Sequence, residues 1–304
     1  MPSTPPHRCG RFAPSPTGPL HFGSLVTAVA SFCEARIHRA RWLLRIEDVD
    51  LPRTVAGAAD QQISVLAALG FEWDGPIVYQ SSRTAAYAAA LERLAASGAV
   101  FPCACTRKEI ADSQTRSSVP SDELVYPGTC RDGMAPGRLP RAMRVRAGTG
   151  TIEFNDTIQG TVRQDIQREI GDFVVRRADG LFAYQLAVVV DDAEAGVTDI
   201  VRGADLLAST PRQIHLQRLL GYATPGYAHV PVAVNAAGEK LSKQTLAPAI
   251  APAEGPAALL RAFAFLGQAV PDELQGAPVR DIWSWAFAHW SLDSVPRVRA
   301  IRAA

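Results

Sequence analysis

The run from Arg11 to Ser24 (Arg-Phe-Ala-Pro-Ser-Pro-Thr-Gly-Pro-Leu-His-Phe-Gly-Ser) limits what this chain can fold into more than any other stretch. Pro14, Pro16, Gly18 and Pro19 exclude a helix through its first half, because proline fixes φ, lacks a donor and pushes the preceding residue to extended geometry. From Ser24 the pattern changes. Leu25, Val26, Val29, Ala30, Phe32, Cys33 and Ile37 recur at three- and four-residue spacing, which predicts a helix with Ser24 as its N-cap. The expected unit is an extended run, a tight turn and a helix N-terminus carrying His21 and Gly23. Unpaired amides and the helix dipole make such a place suited to a phosphate. His21 could donate to a phosphoryl oxygen, and Gly23 would let a flat base or a backbone come close. In isolation, His-x-Gly at a helix start is better read as a turn histidine that caps the helix.

A second element lies far downstream. Asn235-Ala-Ala-Gly238 reads as a turn, followed by Glu239, Lys240, Leu241, Ser242 and Lys243. Two ammonium groups on one loop suit a triphosphate whose pyrophosphate must leave. The bland reading is a solvated turn with surface lysines. Together, His-Phe-Gly-Ser and Lys-Leu-Ser-Lys-Gln resemble the paired signatures of the class I aminoacyl-tRNA synthetases. The longer string Arg-Phe-Ala-Pro-Ser-Pro-Thr-Gly-x-Leu-His-x-Gly is similar to their glutamate-specific branch. Ser24 stands where the general class I pattern has a second His, and Gln244 stands where the usual final Ser would be.

That resemblance implies a Rossmann-like, doubly wound α/β fold with a parallel sheet, in which ligands sit at the C-terminal edge of the strands. It also implies site residues. Arg11, Phe12, Ala13, Pro14 and Ser15 would line the glutamate site, and Glu47 would bind the amino group. Tyr184 and Arg202 would contact the substrate side chain. His21, Gly23, Lys240 and Lys243 would act on ATP, which enters with Mg as a substrate. From spacing alone, Arg202 would pair with Asp199 or Asp205 and Tyr184 would be core. The resemblance reverses that preference.

Along the chain, Arg41–Glu47 reads as a second strand with carboxylates at its end, and Asp48 and Asp50 as a solvated turn before Pro52. Thr54–Leu69 and Ser82–Ala96 read as alanine-rich helices, with Tyr87 and Leu91 facing the core. By spacing alone Cys103, Cys105 and Cys130 fit equally well three reduced core thiols or a zinc site, which needs a fourth ligand. No histidine lies between them, so the candidates are Tyr126, Glu109, Asp112, Asp122 and Glu123. Tyr126-Pro-Gly-Thr-Cys130 resembles the Tyr-x-x-x-Cys element of the glutamyl-queuosine tRNA(Asp) synthetases, which selects Tyr126. Between the cysteines, residues 112–123 read as a polar, mobile loop. Residues 142–165 alternate as short strands do. Asp172–Arg177 and Ala183–Asp192 read as buried strands, the second ending in Asp191 and Asp192, which could order a loop or approach the metal–nucleotide. Thr210 reads as the N-cap of a helix with Pro211 at its first position. After an Ala/Pro-rich stretch, Ala257–Leu266 and Asp281–Trp290 read as helices, with Trp283, Trp285 and Trp290 packing onto the body. Arg297, Arg299 and Arg302 form a small basic tail.

These assignments give residues 8–100 and 171–246 as two halves of a catalytic domain, 101–170 as an inserted zinc-binding subdomain, 247–304 as a helical C-terminal region and 1–7 as a flexible tail. Only residues 244–304 follow the second signature, too few for the anticodon-binding regions of glutamyl- or glutaminyl-tRNA synthetases. This expectation, with the zinc-like set, points to the glutamyl-queuosine branch. Its implied partners are L-glutamate, ATP and tRNA(Asp) bearing queuosine, with one structural zinc. The alternatives are a shortened glutamyl-tRNA synthetase charging tRNA(Glu), a nucleotidyltransferase of the same fold, and a non-catalytic zinc-stabilised RNA-binding module. A net charge of +1 offers no global attraction to polyanions, so RNA contact needs a local patch. Five cysteines without a signal peptide argue for the cytoplasm, and a monomer is expected.

Overall fold

The computed structural model describes residues 8–114, 125–241, 249–251 and 254–303. In chain order, the first half runs β1 (Cys9–Phe12), α1 (Phe22–Ile37), β2 (Arg41–Ile46), α2 (Ala58–Ala68), β3 (Val78–Tyr79) and α3 (Thr84–Ala96). Strand β4 (Val100–Cys103), helix α4 (Arg107–Gln114) and strands β5 (Ala142–Val145), β6 (Thr151–Asp156), β7 (Gly160–Asp165) and β8 (Phe173–Arg176) follow. The chain continues as α5 (Tyr184–Glu194), β9 (Asp199–Gly203), α6 (Thr210–Leu220), β10 (Gly226–Val230) and β11 (Val232–Val234), and ends with α7 (Gly255–Phe265), α8 (Val279–His289) and β12 (Ala300–Arg302).

Strands β1, β2 and β3 pair in parallel, as do β6, β10 and β9. Thr198 N–H donates to the Cys9 carbonyl at 2.9 Å, which sets the start of β9 beside the start of β1. The two parallel ladders are thereby joined, and their C-terminal ends open on the same side. β7 adds an antiparallel edge through β6, and β4, β5 and β8 form a separate antiparallel sheet. β12 pairs with β11 and takes Arg302 into register with Val234.

Helices cover the parallel layer on both faces. On one side α1 buries Leu25, Val26 and Ala28 through Ala35, and α7 and α8 lie over it. Phe32 stands at the centre, edge-on to Trp42 (4.9 Å) and Trp283 (5.0 Å), with Phe71 at 5.2 Å. Edge-to-face rings add to their area burial, so this cluster pins the C-terminal helices to the sheet as the tryptophan reading expects. On the other side α3, α5 and α6 share a core that includes Tyr87, Leu91, Leu186, Val190 and Ile214. Among the described residues no helix is long and apolar enough to cross a membrane.

Several local expectations change. The stretch 183–192 is not a strand: Ala183 caps helix α5, which runs from Tyr184 to Glu194. Leu186 through Asp192 are all buried. A short helix enclosed on every side leaves no apolar period, and its run of valines imitates a buried strand. α1 starts at Phe22 with His21, not Ser24, as its N-cap. Thr210 occupies the first turn of α6 after Ser209 and turns its hydroxyl inward instead of capping. Asp48 is buried and accepts from Ser81 N (2.8 Å) and Oγ (2.6 Å), and Asp50 pairs with Arg53 and Arg177. Neither is a free turn carboxylate. The polar loop at 112–123 lies largely, and the Ala/Pro-rich stretch partly, outside the described residues.

Candidate active site

An open cleft of about 580 Å³ lies at the C-terminal ends of β1, β2 and β9. The proline-rich turn walls it with Arg11, Phe12, Ala13, Pro14 and Ser15, and α1 contributes His21 and Gly23. Glu47 enters from the end of β2, Tyr184 from the first turn of α5, and Arg202 from β9. The opposite lip is Lys240 and Leu241. Every residue expected at the glutamate and ATP sites therefore lines one cavity, save Lys243, which lies outside the described residues.

At the N-terminus of α1, His21 Nδ1 accepts from Ser24 N–H at 3.3 Å, and Nε2 lies 3.1 Å from Ser24 Oγ. The ring is thus fixed over the helix start, where first-turn amides and the dipole favour an anion. A Cβ on Gly23 would lie 3.4 Å from both the His21 ring and the Leu241 carbonyl. Glycine here keeps open the gap between the imidazole and the opposite loop. Lys240 Nζ bonds Asp205 Oδ2 at 2.5 Å, so the ammonium is held at the cleft lip.

The floor is a buried ion ladder. Asp192 accepts from Arg11 Nε (3.2 Å) and Arg45 Nη1 (2.7 Å), and Arg45 Nη2 reaches Glu47 Oε1 at 3.3 Å. Asp191 continues it through Arg83 Nε (2.6 Å), the Tyr87 hydroxyl (2.7 Å) and Gln80 (2.8 Å). The paired aspartates anchor the site's arginines. Burial alone would raise Asp192, but Arg11 and Arg45 hold its pKa below the ordinary aspartate value. For Glu47 the balance is the reverse: burial pushes its carboxyl above the ordinary range, and Arg45 and Arg11 offset this only in part. Burial, then the charge of Glu47, pushes the Tyr184 phenol up to about 12, so it remains a donor at neutral pH.

Arg202 pairs with neither Asp199 nor Asp205. Its Nε donates to His229 Nε2 (3.0 Å) and its Nη2 to Thr210 Oγ1 (2.8 Å), while Cζ lies 5.5 Å from the Tyr227 ring centroid. Nη1 is buried with no hydrogen-bond partner. A buried guanidinium nitrogen left unspent is costly, and a carboxylate entering the cleft would satisfy it. The sequence reading missed Arg45, Thr210, His229 and Asp156. Nothing in their local spacing marks them. Asp156 and His229 meet Arg202 from other strands. Arg45 and Thr210, though close in the chain to Glu47 and Arg202, are defined as site residues only by the partners the fold gives them.

A second cluster sits beyond the cleft. The sulfurs of Cys103, Cys105 and Cys130 lie within 4.8 Å of one another, with Cys105 and Cys130 at 3.6 Å. The Tyr126 hydroxyl is 3.4 Å from Cys103 Sγ and 3.5 Å from Cys105 Sγ. Zinc–sulfur bonds of about 2.3 Å in a tetrahedron set sulfurs roughly 3.8 Å apart, so this donor set is consistent with a zinc site. Arg144 places Cζ 4.0 Å from the Tyr126 ring centroid and donates to Cys103 Sγ at 3.3 Å, which favours anionic donors. Glu109 instead bonds Thr106 and Arg138.

Comparison with known proteins agrees with this geometry. Residues 9–254 match the family described as tRNA synthetases class I (E and Q), catalytic domain. The chain is 61% identical to a glutamyl-Q tRNA(Asp) synthetase of Aromatoleum aromaticum, over 97% of this chain and 92% of that one. It is 59% identical to one of Dechloromonas aromatica, over 96% of each chain. A third, from Geobacter sulfurreducens, is 52% identical over 99% and 98%. Among solved structures, a glutamate tRNA ligase of Elizabethkingia meningosepticum superposes with a TM-score of 0.79 at 24% identity, covering 98% of this chain and 67% of that one, which bears on the fold alone. With that match over residues 9–254 and relatives of this identity along almost the whole chain, the protein belongs to the class I (E and Q) tRNA synthetase catalytic-domain family.

Proposed function

We propose that this chain activates L-glutamate with ATP and transfers it to the queuosine base in the anticodon of tRNA(Asp). The observation that carries the reading is the convergence of Glu47, Tyr184 and Arg202 with His21 and Lys240 on one cleft. The acceptor rests on the relatives' shared name at 52–61% identity over nearly the full chain.

The α-ammonium of glutamate docks at Glu47, where a cation offsets the burial of that carboxylate. Its side-chain carboxylate takes Arg202 Nη1 and the Tyr184 hydroxyl, and Arg11 and Ser15 close over the remainder. The α-carboxylate oxygen then attacks the α-phosphorus of ATP, the bond to the bridging oxygen breaks and pyrophosphate leaves with its Mg. His21, Lys240 and Lys243 stabilise charge on the phosphoryl oxygens, and Gly23 admits the adenine. Positioning and electrostatics suffice, and no protein nucleophile is required. A hydroxyl of the queuosine ring displaces AMP from the adenylate to give the ester.

The deciding assay measures glutamate transfer to tRNA(Asp) with and without queuosine. Transfer confined to the queuosine-bearing tRNA is expected. Charging of tRNA(Glu) at its 3′ end, or no glutamate-dependent pyrophosphate exchange, would overturn the reading. The insert would hold one structural zinc on Cys103, Cys105, Cys130 and Tyr126. Elemental analysis should find about one zinc per chain, and Cys105→Ser should lose most of it along with thermal stability.

A further inference from the structure

We propose that Asp156 and His229 are positioning residues that fix the Arg202 guanidinium as the receptor for the substrate's side-chain carboxylate. The proposal rests on the glutamate reading of the cleft and extends it to residues that do not touch the substrate.

Asp156, His229 and Arg202 lie on the neighbouring parallel strands β6, β10 and β9, with His229 directly opposite Arg202 in register. His229 is fully buried, and Asp156 and Arg202 are each 3% exposed. Asp156 Oδ2 is 2.5 Å from His229 Nδ1, and Oδ1 accepts the amides of His229 (3.1 Å), Ile158 (3.1 Å) and Gln159 (2.8 Å). This carboxylate can only accept, so Nδ1 carries the proton and Nε2 keeps its lone pair. That lone pair faces Arg202 Nε–H at 3.0 Å. Arg202 Nη2 is taken by Thr210, and Nη1 alone stays unspent. A buried carboxylate thus sets a tautomer, the tautomer sets the guanidinium plane, and the plane reserves one nitrogen. The opposite tautomer would set N–H against N–H and turn the guanidinium away.

The charged groups around the ring are Asp156 from β6, Arg202 from β9 and Asp205 just after it. Thr210 from α6 adds a hydroxyl at 3.2 Å, and Tyr227 stacks at 6.0 Å. Burial, followed by Arg202, keeps the imidazole below its ordinary pKa despite Asp156, which agrees with a neutral acceptor.

The test is pyrophosphate exchange with Asp156→Asn. Its retained oxygen still accepts the backbone amides, while its new amide N–H forces the wrong tautomer. Misdirecting one charge-assisted hydrogen bond should raise the glutamate KM about 10- to 100-fold, with the ATP KM within about twofold. His229→Gln, which restores an acceptor to Arg202, should recover most of the affinity, whereas His229→Leu should not. Equal changes in both KM values, or none in a variant that melts like wild type, would overturn the proposal. So would Gln and Leu behaving alike. If Asp156→Asn does not fold, or wild type shows no glutamate-dependent exchange, ¹⁵N shifts of His229 in the wild-type protein still decide. An Nδ1–H tautomer supports the proposal and Nε2–H overturns it, whereas absent exchange refutes only the function proposed above.

Discussion

Asp192→Asn removes one charge from beneath the cleft and little volume. In the folded protein Asp192 accepts from Arg11 at 3.2 Å and from Arg45 at 2.7 Å, and all three side chains are buried. Removing one partner of a buried ion pair costs about 3–5 kcal/mol, mostly because the remaining charge stays uncompensated. Two guanidiniums depend on this carboxylate, which argues for the upper end. Asparagine still offers one acceptor, and Asp191 and Glu47 stay within 3.9 and 3.3 Å of Arg45, which argues for the lower. A loss of about 3 kcal/mol follows, or a fall in melting temperature of roughly 4–6 °C for a chain of this size. The pH dependence has a definite sign. The pKa of Asp192 is depressed on folding, so its stabilisation is present above the ordinary aspartate value and is lost as pH falls through the folded one. Urea titrations of wild type and variant should therefore differ most at neutral pH and converge below about pH 4. Equal stabilities at pH 7, or a gap that persists undiminished into acid, would refute the ladder as the support of this site.

Two further substitutions separate function from stability. Gly23→Ala places a methyl between His21 and the Leu241 carbonyl at ordinary contact distance, so the fold should hold or gain up to about 1 kcal/mol from helix propensity. The ATP KM should nevertheless rise at least about tenfold, which exchange kinetics beside a thermal melt would check. Glu47→Gln should be more stable than wild type at neutral pH and much weaker for glutamate. Because burial raises this carboxyl on folding, its stability cost appears as pH climbs through the carboxylate range, so the variant's advantage should be larger at pH 7 than at pH 4.

The first signature was legible because proline and glycine restrict the backbone wherever they stand. The turn, the helix after it and the place of His21 over its N-terminus follow from local rules, although the imidazole took the cap assigned to Ser24. Glu47 was legible as a carboxylate closing an apolar strand. Tyr184 was placed by resemblance to the family, in an element whose type the periodicity misjudged. α5 is buried all round, and a helix without a wet face carries no helical pattern. The cysteine cluster was visible as spacing, but the preference for Tyr126 over Glu109 gains structural support only from the 3.4 and 3.5 Å approaches of its hydroxyl and from the partners that occupy Glu109.

By itself the sequence determined the local pieces of this protein: a rigid turn feeding a helix, and an α/β alternation along the chain. Each depends on the conformational preferences of neighbouring residues. Tertiary structure alone decided how the arginines of the cleft are held, because hydrogen bonds between elements distant in the chain leave no period or spacing in it. Arg202 rests on His229 and Asp156 from neighbouring strands, and Arg11 and Arg45 rest on Asp192 from a helix packed on the sheet, partners that only the folded chain brings within bonding distance.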